Sequence, residues 1–185
     1  ADKVIVGGGM IFTFYAARGM NIGGSLLEKD YLARAKEMSS NPKLYLPKDV
    51  VVADAVNKET NVKNVPIDAI PPQSMGLDVG EKSIEEMKAL LKNAKTIIWN
   101  GPLGYYEKPP FDHATNEMAT YIASLNCTKI AGGGDTADAI HQLGLENKFT
   151  FISTGGGASL EVLSGNKLAA LQALEENSAH RNEDI

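Results

Sequence analysis

The sequence predicts an α/β protein with a doubly wound parallel sheet, in which helices cover both faces of the sheet. Two observations support this prediction. From residue 96 onward, short apolar runs alternate with segments of helical spacing, as in successive β-α units. Several apolar runs also end in glycine-rich turns, and four such turns hold eleven of the eighteen glycines. In an open parallel sheet, turns of this kind emerge at the carboxyl edge, where ligands bind.

The first half of the chain is predicted to contain short elements of irregular length. They are, in order, a strand at 3–6, a helix at 10–18, a helix at 28–38 and strands at 43–46 and 50–53. The aromatic residues of the first helix are predicted to pack against the sheet, and Pro42 stops the second helix. The polar segment 54–80 holds at most a short strand at 62–65, and we interpret it as an excursion within the domain rather than an interdomain linker.

The second half of the chain alternates regularly between strands and helices. A helix is predicted at 83–91, with acidic residues near its start and lysines toward its end, as the helix dipole favours. The elements that follow are a strand at 96–99, a helix at 111–125, a strand at 128–131, a helix at 136–143, a strand at 149–152 and a helix at 158–163. Residues 175–185 are too polar to pack, so we predict a folded domain over 1–174 and a disordered tail.

Composition and charge narrow the possible functions. With 185 residues, 43% apolar and 22% charged, the sequence is typical of one soluble globular domain. It has no apolar run of about 18 residues and no signal-peptide pattern at its start, so we expect a cytoplasmic protein without a membrane partner. A net charge of −5 argues against nucleic acid as a partner. The single cysteine excludes an internal disulfide, and the three histidines lack metal-ligand spacing.

The glycine-rich turns indicate a site for a phosphorylated ligand. Glycine lets the backbone approach a ligand closely, and the helix that follows presents unpaired N–H groups to an anion. One such turn could equally be a tight connection, but four of them favour one shared site. No stretch fits the G-x-x-x-x-G-K-[ST] loop of P-loop proteins. The dinucleotide pattern G-x-G-x-x-G fails at its last position, which holds Phe12 or Leu160, so a dinucleotide-dependent oxidoreductase is a weaker alternative.

Asp135 is the most informative carboxylate, because it follows three glycines at the start of a predicted helix. It could act as an N-cap that accepts a hydrogen bond from an N–H two or three residues later, which is worth about 1 kcal/mol. It could also hold a Mg²⁺ ion that bridges nucleotide phosphates, since a hard cation prefers carboxylate oxygen. The residues alone leave both roles open.

Five motifs together resemble the phosphoglycerate kinase family. They are Val6-Gly7-Gly8-Gly9-Met10, Gly76-Leu77-Asp78-Val79-Gly80, Trp99-Asn100-Gly101-Pro102-Leu103-Gly104, Gly132-Gly133-Gly134-Asp135-Thr136 and Ser153-Thr154-Gly155-Gly156-Gly157-Ala158-Ser159. They occur in the order of that family and at compatible spacings, from residue 3 to about residue 174. The resemblance is to the C-terminal, nucleotide-binding half of the enzyme. It implies a Rossmann-like fold with MgADP or MgATP at the carboxyl edge of the sheet.

The resemblance also implies roles for particular residues. The nucleotide-binding residues are Gly8, Leu26 and Gly80 around the adenine, Glu107 at the ribose, Asn100 and Pro102 beside the nucleotide, and Asp135 and Thr136 at the metal and the phosphates. Asp135 is the implied metal ligand. The catalytic groups are the backbone N–H groups of Gly155, Gly156 and Gly157, which face the phosphoryl group in transfer. Phosphoryl transfer needs mainly positioning and charge neutralisation, which fixed backbone dipoles and one metal ion supply.

The chain departs from the family pattern at its start. The N-terminal domain that binds 3-phosphoglycerate or 1,3-bisphosphoglycerate is absent, and so are the opening strand, helix and lysine loop of the nucleotide-binding domain. We therefore predict a partial phosphoglycerate kinase whose fold is truncated at its N-terminus, inactive alone and monomeric when complete. The lost strand would be an interior one, and its loss would leave unpaired backbone edges. A non-catalytic nucleotide-binding or assembly module is the alternative function.

Overall fold

The computed structural model describes residues 1–56, 61–170 and 172–174, and the tail predicted at 175–185 lies outside the described residues. The strands are β1 (Val4–Ile5), β2 (Leu44–Tyr45), β3 (Asp49–Ala53), β4 (Lys63–Pro66), β5 (Met75–Val79), β6 (Thr96–Asn100), β7 (Thr128–Gly132) and β8 (Phe151–Ser153). The α-helices are α1 (Met10–Ala17), α2 (Leu32–Met38), α3 (Glu81–Leu91), α4 (His113–Ser124), α5 (Gly134–Gln142) and α6 (Gly156–Leu163). Among the described helices, none is long and apolar enough to cross a bilayer.

Two parallel sheets confirm the predicted α/β class. β6, β7 and β8 form a three-stranded parallel sheet in that order, and β1 pairs in parallel with β2. The helices α4 and α5 connect neighbouring strands of the larger sheet, as the regular alternation predicts. The register places Asn100 beside Gly132 and Gly132 beside Ser153. The turns that leave these three strands therefore start from one edge of the sheet.

A third, antiparallel sheet differs from the sequence prediction. Its middle strand β3 pairs with β4 on one side and with β5 on the other. β5 contains Gly76 and Asp78, and because both residue types are depleted in strands, the sequence does not reveal it. Since β4 and β5 both pair with β3, residues 63–79 are folded against that strand.

Two helices begin earlier than the glycine pattern predicts. α5 begins at Gly134 rather than at residue 136, and α6 begins at Gly156 rather than at residue 158. Glycine disfavours a helix interior, but it costs less in the first turn, where the N–H groups have no intrahelical partner in any case. Gly133 precedes α5 with a φ of 97°, a left-handed conformation that favours glycine. The N–H groups of Gly134, Gly156 and Gly157 consequently lie within the first helical turns, whereas Gly133 and Gly155 directly precede the helices.

Two apolar clusters form the core of the described structure. The first joins α3, α4 and α5 to the larger parallel sheet, and its buried residues include Ile84, Met87, Ile97, Trp99, Met118, Ala131 and Ile140. The second joins α1 to β3, and its buried residues include Ile11, Phe12, Phe14, Tyr15, Val50 and Val52. The second cluster confirms that the aromatic residues of the first helix pack against a sheet.

The parallel sheets also have open surfaces. Ile98 and Phe151 flank Ile130 in one cross-strand row, and they are 47% and 61% exposed. In the part of the chain that the structure describes, β6 pairs only with β7 and β1 only with β2. Each of these two strands therefore has one edge without a strand partner.

Candidate functional site

Glycine-rich turns follow β1, β6, β7 and β8, and direct contacts join them into one surface. The N–H of Gly8 donates to Leu103 O at 3.0 Å, which connects the turns after β1 and β6. The Asn100 amide donates to Gly156 O at 3.3 Å, which connects the turns after β6 and β8. A Cβ atom on Gly156 would lie 2.8 Å from Gly133 Cα, so the turns after β7 and β8 pack without room for a side chain. The carboxyl ends of the four strands thus share a continuous, glycine-lined edge.

An apolar pocket of about 250 Å³ opens beside the turns after β1 and β6. Its lining residues include Gly8, Gly9, Leu26, Gly76, Leu77 and Leu103. A Cβ atom on Gly76 would overlap the Phe12 ring, and one on Gly9 would lie 2.7 Å from Leu26 Cδ2. Gly76 therefore needs to be glycine, because the Phe12 ring is buried, whereas a side chain at Gly9 would displace the exposed Leu26 in the pocket wall. A flat, largely apolar group such as a purine ring suits this lining.

The loop of residues 101–112 forms one wall of the pocket and is fixed at its start. The Trp99 indole N–H donates to Gly101 O at 2.7 Å. The Gly101 N–H donates to Thr136 Oγ1, also at 2.7 Å, and this bond connects the loop to α5. Pro102 lies against Gly8, whose φ of 63° is in the left-handed region that favours glycine. The start of the loop is therefore held by β6, α5 and the turn after β1.

Acidic side chains lie around the Tyr106 hydroxyl, on the solvent side of the glycine-lined edge. Burial, followed by the negative charges of Asp135, Asp138 and Glu107, raises the pKa of the Tyr106 hydroxyl to about 12. The same hydroxyl donates to Asp138 Oδ2 at 3.4 Å. Glu107 and Asp135 are both exposed. Carboxylates from the loop 101–112 and from α5 therefore lie near one hydroxyl group, on the solvent side of the glycine-lined edge.

The N-terminus of α5 offers backbone N–H groups and one exposed carboxylate. Asp135 lies in the first turn of the helix. Thr136 is completely buried, so its side chain does not face solvent. Its hydroxyl oxygen accepts the Gly101 N–H and thereby binds the loop 101–112. The first N–H groups of a helix have no intrahelical acceptor and carry a partial positive charge, which makes them a binding position for phosphate oxygens.

The N-terminus of α6 contains the three glycines expected to be catalytic. The Gly155 N–H donates to Ser153 Oγ and the Gly156 N–H donates to Thr154 O, both at 3.2 Å. The Gly157 N–H lies in the first turn of the helix, where an intrahelical acceptor is unavailable by geometry. Two of the three N–H groups thus have partners within their own turn in this structure.

Comparison with known proteins identifies the family. The family model described as phosphoglycerate kinase matches residues 1–166 of this chain. The chain belongs to the phosphoglycerate kinase family. The phosphoglycerate kinase of Limosilactobacillus reuteri is 48% identical over 179 residues, which cover 95% of this chain and 44% of that protein. The chloroplastic phosphoglycerate kinase of Chlamydomonas reinhardtii is 46% identical over 183 residues, which cover 95% of this chain and 40% of that protein.

Solved structures of phosphoglycerate kinases confirm the Rossmann-like α/β fold. The Coxiella burnetii structure has a TM-score of 0.84 and 37% identity, covering 90% of this chain and 44% of that one. The Pyrococcus horikoshii structure has a TM-score of 0.80 and 28% identity, covering 95% of this chain and 45% of that one. The chain spans about half the length of the phosphoglycerate kinases that it matches.

Three residues are expected around the adenine in a phosphoglycerate kinase, and in this chain two of them line the pocket and one does not. Gly8 and Leu26 line the apolar pocket. Gly80 is not part of the lining; it is the N-cap of α3, and a Cβ atom there would overlap the Asp49 carboxylate. Gly76 and Leu77, from the same motif, line the pocket instead. The two glycines differ in what they pack against, Gly76 against Phe12 and Gly80 against Asp49, and the sequence does not show these contacts.

The metal expected for a phosphoglycerate kinase fits the exposed carboxylate of Asp135. Within the described residues, no group of three or more His, Cys, Asp or Glu side chains could hold a metal ion. Mg²⁺ commonly uses one or two carboxylates, several waters and the phosphates of a substrate, and it seldom occupies an all-protein cage. The donor set therefore suits a Mg²⁺ ion that binds together with a nucleotide.

Asp78 is a pocket residue that the sequence analysis does not assign to the site. It lines the pocket and is 3% exposed. Its carboxylate accepts the N–H of Val79 at 2.8 Å and that of Ala114 at 2.9 Å. Burial raises the pKa of the Asp78 carboxyl to about 7, although these two hydrogen bonds oppose the shift. The sequence does not indicate that Asp78 is buried, because β5 lacks a regular apolar pattern and a charged residue is usually exposed.

Proposed function

We propose that the chain is the nucleotide-binding half of a phosphoglycerate kinase and that it binds ADP or ATP with Mg²⁺. The observation that carries this proposal is the apolar pocket on the same glycine-lined edge as two helix N-termini. The pocket suits a base, and the helix N-termini suit phosphates. In the complete enzyme, the reaction would be reversible phosphoryl transfer between 1,3-bisphosphoglycerate with ADP and 3-phosphoglycerate with ATP, a step of glycolysis.

Each part of the edge would bind one part of the nucleotide. The pocket beside Gly8 and Leu26 would hold the adenine, with Asn100 and Pro102 beside the nucleotide. Glu107 is exposed, and it would accept hydrogen bonds from the ribose hydroxyls. Asp135 would hold Mg²⁺ next to the phosphates, which the N–H groups of the first turn of α5 would also contact. The metal ion supplies positive charge that neutralises the phosphate oxygens.

The first turn of α6 would face the phosphoryl group in transfer. The N–H groups of Gly155 and Gly156 would exchange their partners in the turn, at 3.2 Å, for phosphate oxygens. Backbone dipoles that are fixed by a helix stabilise developing negative charge without reorganising during the reaction. Because 3-phosphoglycerate would bind to a part of the enzyme that is not in this chain, we expect the 185-residue chain alone to be inactive as a kinase.

The first test is a calorimetric titration of the chain with ADP, with and without Mg²⁺. We expect saturable one-site binding that weakens when the metal is removed. A chain that shows no heat of binding with ADP or ATP, at any Mg²⁺ concentration, contradicts the proposal.

Asp135→Asn tests the metal role. We expect the affinity for ADP in Mg²⁺ to fall by about 10-fold to 100-fold, the range found when groups that support a metal site are removed. Without Mg²⁺, the variant and the parent chain should bind ADP equally. Asp68→Asn is the control, because it removes an exposed carboxylate from the 3₁₀ turn at Ile67–Ala69. Equal affinities of the two variants in Mg²⁺ would refute the metal role.

The cytoplasmic location and the monomeric state of the complete enzyme stay predictions. One relative is a chloroplastic enzyme, so cell fractionation decides the compartment. Sedimentation of the full-length enzyme decides the oligomeric state.

A further inference from the structure

Asp78 is a buried carboxylate in the wall of the pocket, and the proposed nucleotide contacts do not use it. It is the fourth residue of β5 and is 3% exposed. Burying an ionisable group is costly unless hydrogen bonds compensate for the lost water. The contacts of Asp78 therefore show what this carboxylate does in the fold.

The carboxylate of Asp78 contacts both ends of the loop 101–112. At the far end, Asp78 Oδ2 accepts the Ala114 N–H at 2.9 Å, in the first turn of α4. Near the start of the loop, Gly104 packs against Asp78 so closely that a Cβ atom on Gly104 would overlap Oδ1. The neighbouring Tyr105 N–H donates to Leu77 O at 2.8 Å, which adds a backbone bond between the loop and β5.

The loop that Asp78 contacts carries residues of two parts of the site. Leu103 and Tyr105 line the pocket, and Glu107 lies two residues beyond Tyr105. The opposite wall of the pocket comes from the turn after β1 and from Leu26. The width of the pocket and the place of Glu107 therefore both depend on how the loop sits on β5.

We propose that Asp78 is a positioning residue, whose carboxylate holds the loop 101–112 on β5 so that the pocket and Glu107 keep the geometry needed to bind a nucleotide. That the ligand is a nucleotide rests on the proposed function. The effect of Asp78 on the mobility of the loop 101–112 can be measured without any ligand. The charged groups near Asp78 are Asp112 and His113, and His113 Nε2 pairs with Glu81 Oε1 at 2.7 Å. Neither group replaces Asp78 as the acceptor of the Ala114 N–H.

The first experiment measures amide hydrogen exchange in the parent chain, in Asp78→Asn and in Gly104→Ala at pH 8, above the pKa of about 7 of the Asp78 carboxyl. The Val79 N–H and the Ala114 N–H go to different oxygens, Oδ1 and Oδ2. Asparagine carries an NH2 donor in place of one of these oxygens, so one of the two bonds loses its acceptor. We expect amides of residues 101–114 to exchange about 10-fold faster in the Asp78→Asn variant, because the loop loses a hydrogen bond to a charged acceptor. Amides of β6 and β7 should keep their rates. Glu117→Gln is the control, because it removes a half-exposed carboxylate of α4 whose ion pair is with Lys88 of α3 and not with the loop.

The second experiment measures ADP affinity in Mg²⁺ for the same variants and for Gly104→Ala. We expect Asp78→Asn and Gly104→Ala each to weaken binding by about 10-fold, and the double variant to lose less than the product of the two, because both disturb the contact between Asp78 and the loop. A Cβ atom on Gly104 would also overlap Phe111 O, so Gly104→Ala disturbs a second contact within the same loop. Glu117→Gln should bind like the parent chain. If Asp78→Asn does not fold, Gly104→Ala still tests the proposal, because the methyl group added at Gly104 pushes the loop away from Asp78.

Two outcomes would overturn the positioning role. One is unchanged exchange of the loop in both pocket variants. The other is a loosened loop with an unchanged affinity for ADP. The two proposals can fail separately. If the parent chain binds no ADP but Asp78→Asn still speeds exchange in the loop alone, the proposed function is wrong, whereas Asp78 is still shown to fix the loop.

Discussion

Single side chains connect turns that are far apart in the sequence. Thr136 Oγ1 accepts the N–H of Gly101, which lies 35 residues earlier. Asn100 donates to Gly156 O, which lies 56 residues later. A hydroxyl or an amide in a glycine-rich turn is equally suited to a ligand and to a neighbouring backbone group. The resemblance implies Thr136 as a phosphate contact, and in the structure its hydroxyl oxygen accepts the Gly101 N–H; the phosphate contact stays a prediction.

Asp78 makes the stability of the chain depend on pH in a direction opposite to that of most carboxylates. Burial raises its pKa from 3.8 to about 7 in the folded chain, so between these values the folded state binds more protons than the unfolded state. The free energy of unfolding that Asp78 contributes should therefore fall as the pH rises from 3.8 to about 7, and stay level above that range.

Urea unfolding of the parent chain and of Asp78→Asn at pH 5 and pH 8 checks this prediction. The difference in stability, parent minus variant, should be smaller at pH 8 than at pH 5. Taking the difference removes the contributions of Asp112, His113 and every other titrating group that both proteins share. A difference that grows with pH would show that Asp78 is better stabilised as an anion in the fold than its burial indicates.

At the scale of elements, local patterns predict well and long-range pairing does not. β6, α4 and β7 lie within about two residues of their predicted bounds, because each has its own apolar pattern between clear turn signals. The sequence does not indicate β5, because its strand character comes from pairing with β3 and not from its residues. The start of α3 shows the same limit: its N-cap is Gly80, which has no side chain, and the cap comes from another element.

Asp49 of β3 caps α3 from outside the helix. Its carboxylate accepts the N–H of Ser83 at 2.9 Å, the N–H of Lys82 at 3.2 Å and the Asn64 amide at 2.9 Å. Burial alone would raise the pKa of Asp49, but the hydrogen bonds from Ser83, Asn64 and Lys82 outweigh it and hold the pKa below its usual value. The stabilisation is therefore present above the unfolded pKa and is lost as the pH falls through the lower folded pKa.

We expect Asp49→Ala to lower the free energy of unfolding at pH 7 by about 2–3 kcal/mol, because several buried donors lose a charged acceptor together. Urea unfolding measures this loss, with Asp30→Ala as a control at an exposed position. The difference between the parent and Asp49→Ala should shrink toward pH 3. A loss no larger than that of the control would mean that α3 finds its cap elsewhere.

At the scale of the whole molecule, the site is assembled from three sheets. The turn after β1, the strand β5 and the loop after β6 each supply a wall of the pocket, and β1, β5 and β6 belong to different sheets. The sequence indicates the glycine-lined edge, since its turns have a recognisable pattern. The resemblance to the family implies a pocket with Gly8 and Leu26, but the residue patterns themselves do not indicate its walls, because the contacts of Gly76 with Phe12 and of Gly104 with Asp78 exist only after the sheets meet.

The open row of Ile98, Ile130 and Phe151 should promote association of the chain. An exposed apolar row on a sheet with an unpaired strand edge is a known site for contacts between copies. We expect Phe151→Lys to reduce the concentration-dependent increase in sedimentation coefficient, because Phe151 is 61% exposed and a lysine there would carry charge into the contact. Lys148→Phe is the comparison variant, because it replaces a lysine by an apolar residue at the nearby 3₁₀ turn Glu146–Lys148. It should not reduce the concentration-dependent increase in sedimentation coefficient. Identical sedimentation of the parent and Phe151→Lys across concentrations would show that this row is not involved.

Trp99 gives the chain a spectroscopic label of its own. It is the single tryptophan, and its indole N–H donates to Gly101 O at 2.7 Å, at the point where the loop 101–112 leaves β6. Any rearrangement of that loop would alter the polarity and hydrogen bonding around the indole, and with them the wavelength and intensity of its emission. Events at the glycine-lined edge should therefore be visible in real time by stopped-flow fluorescence on the unlabelled chain, with no background from a second indole.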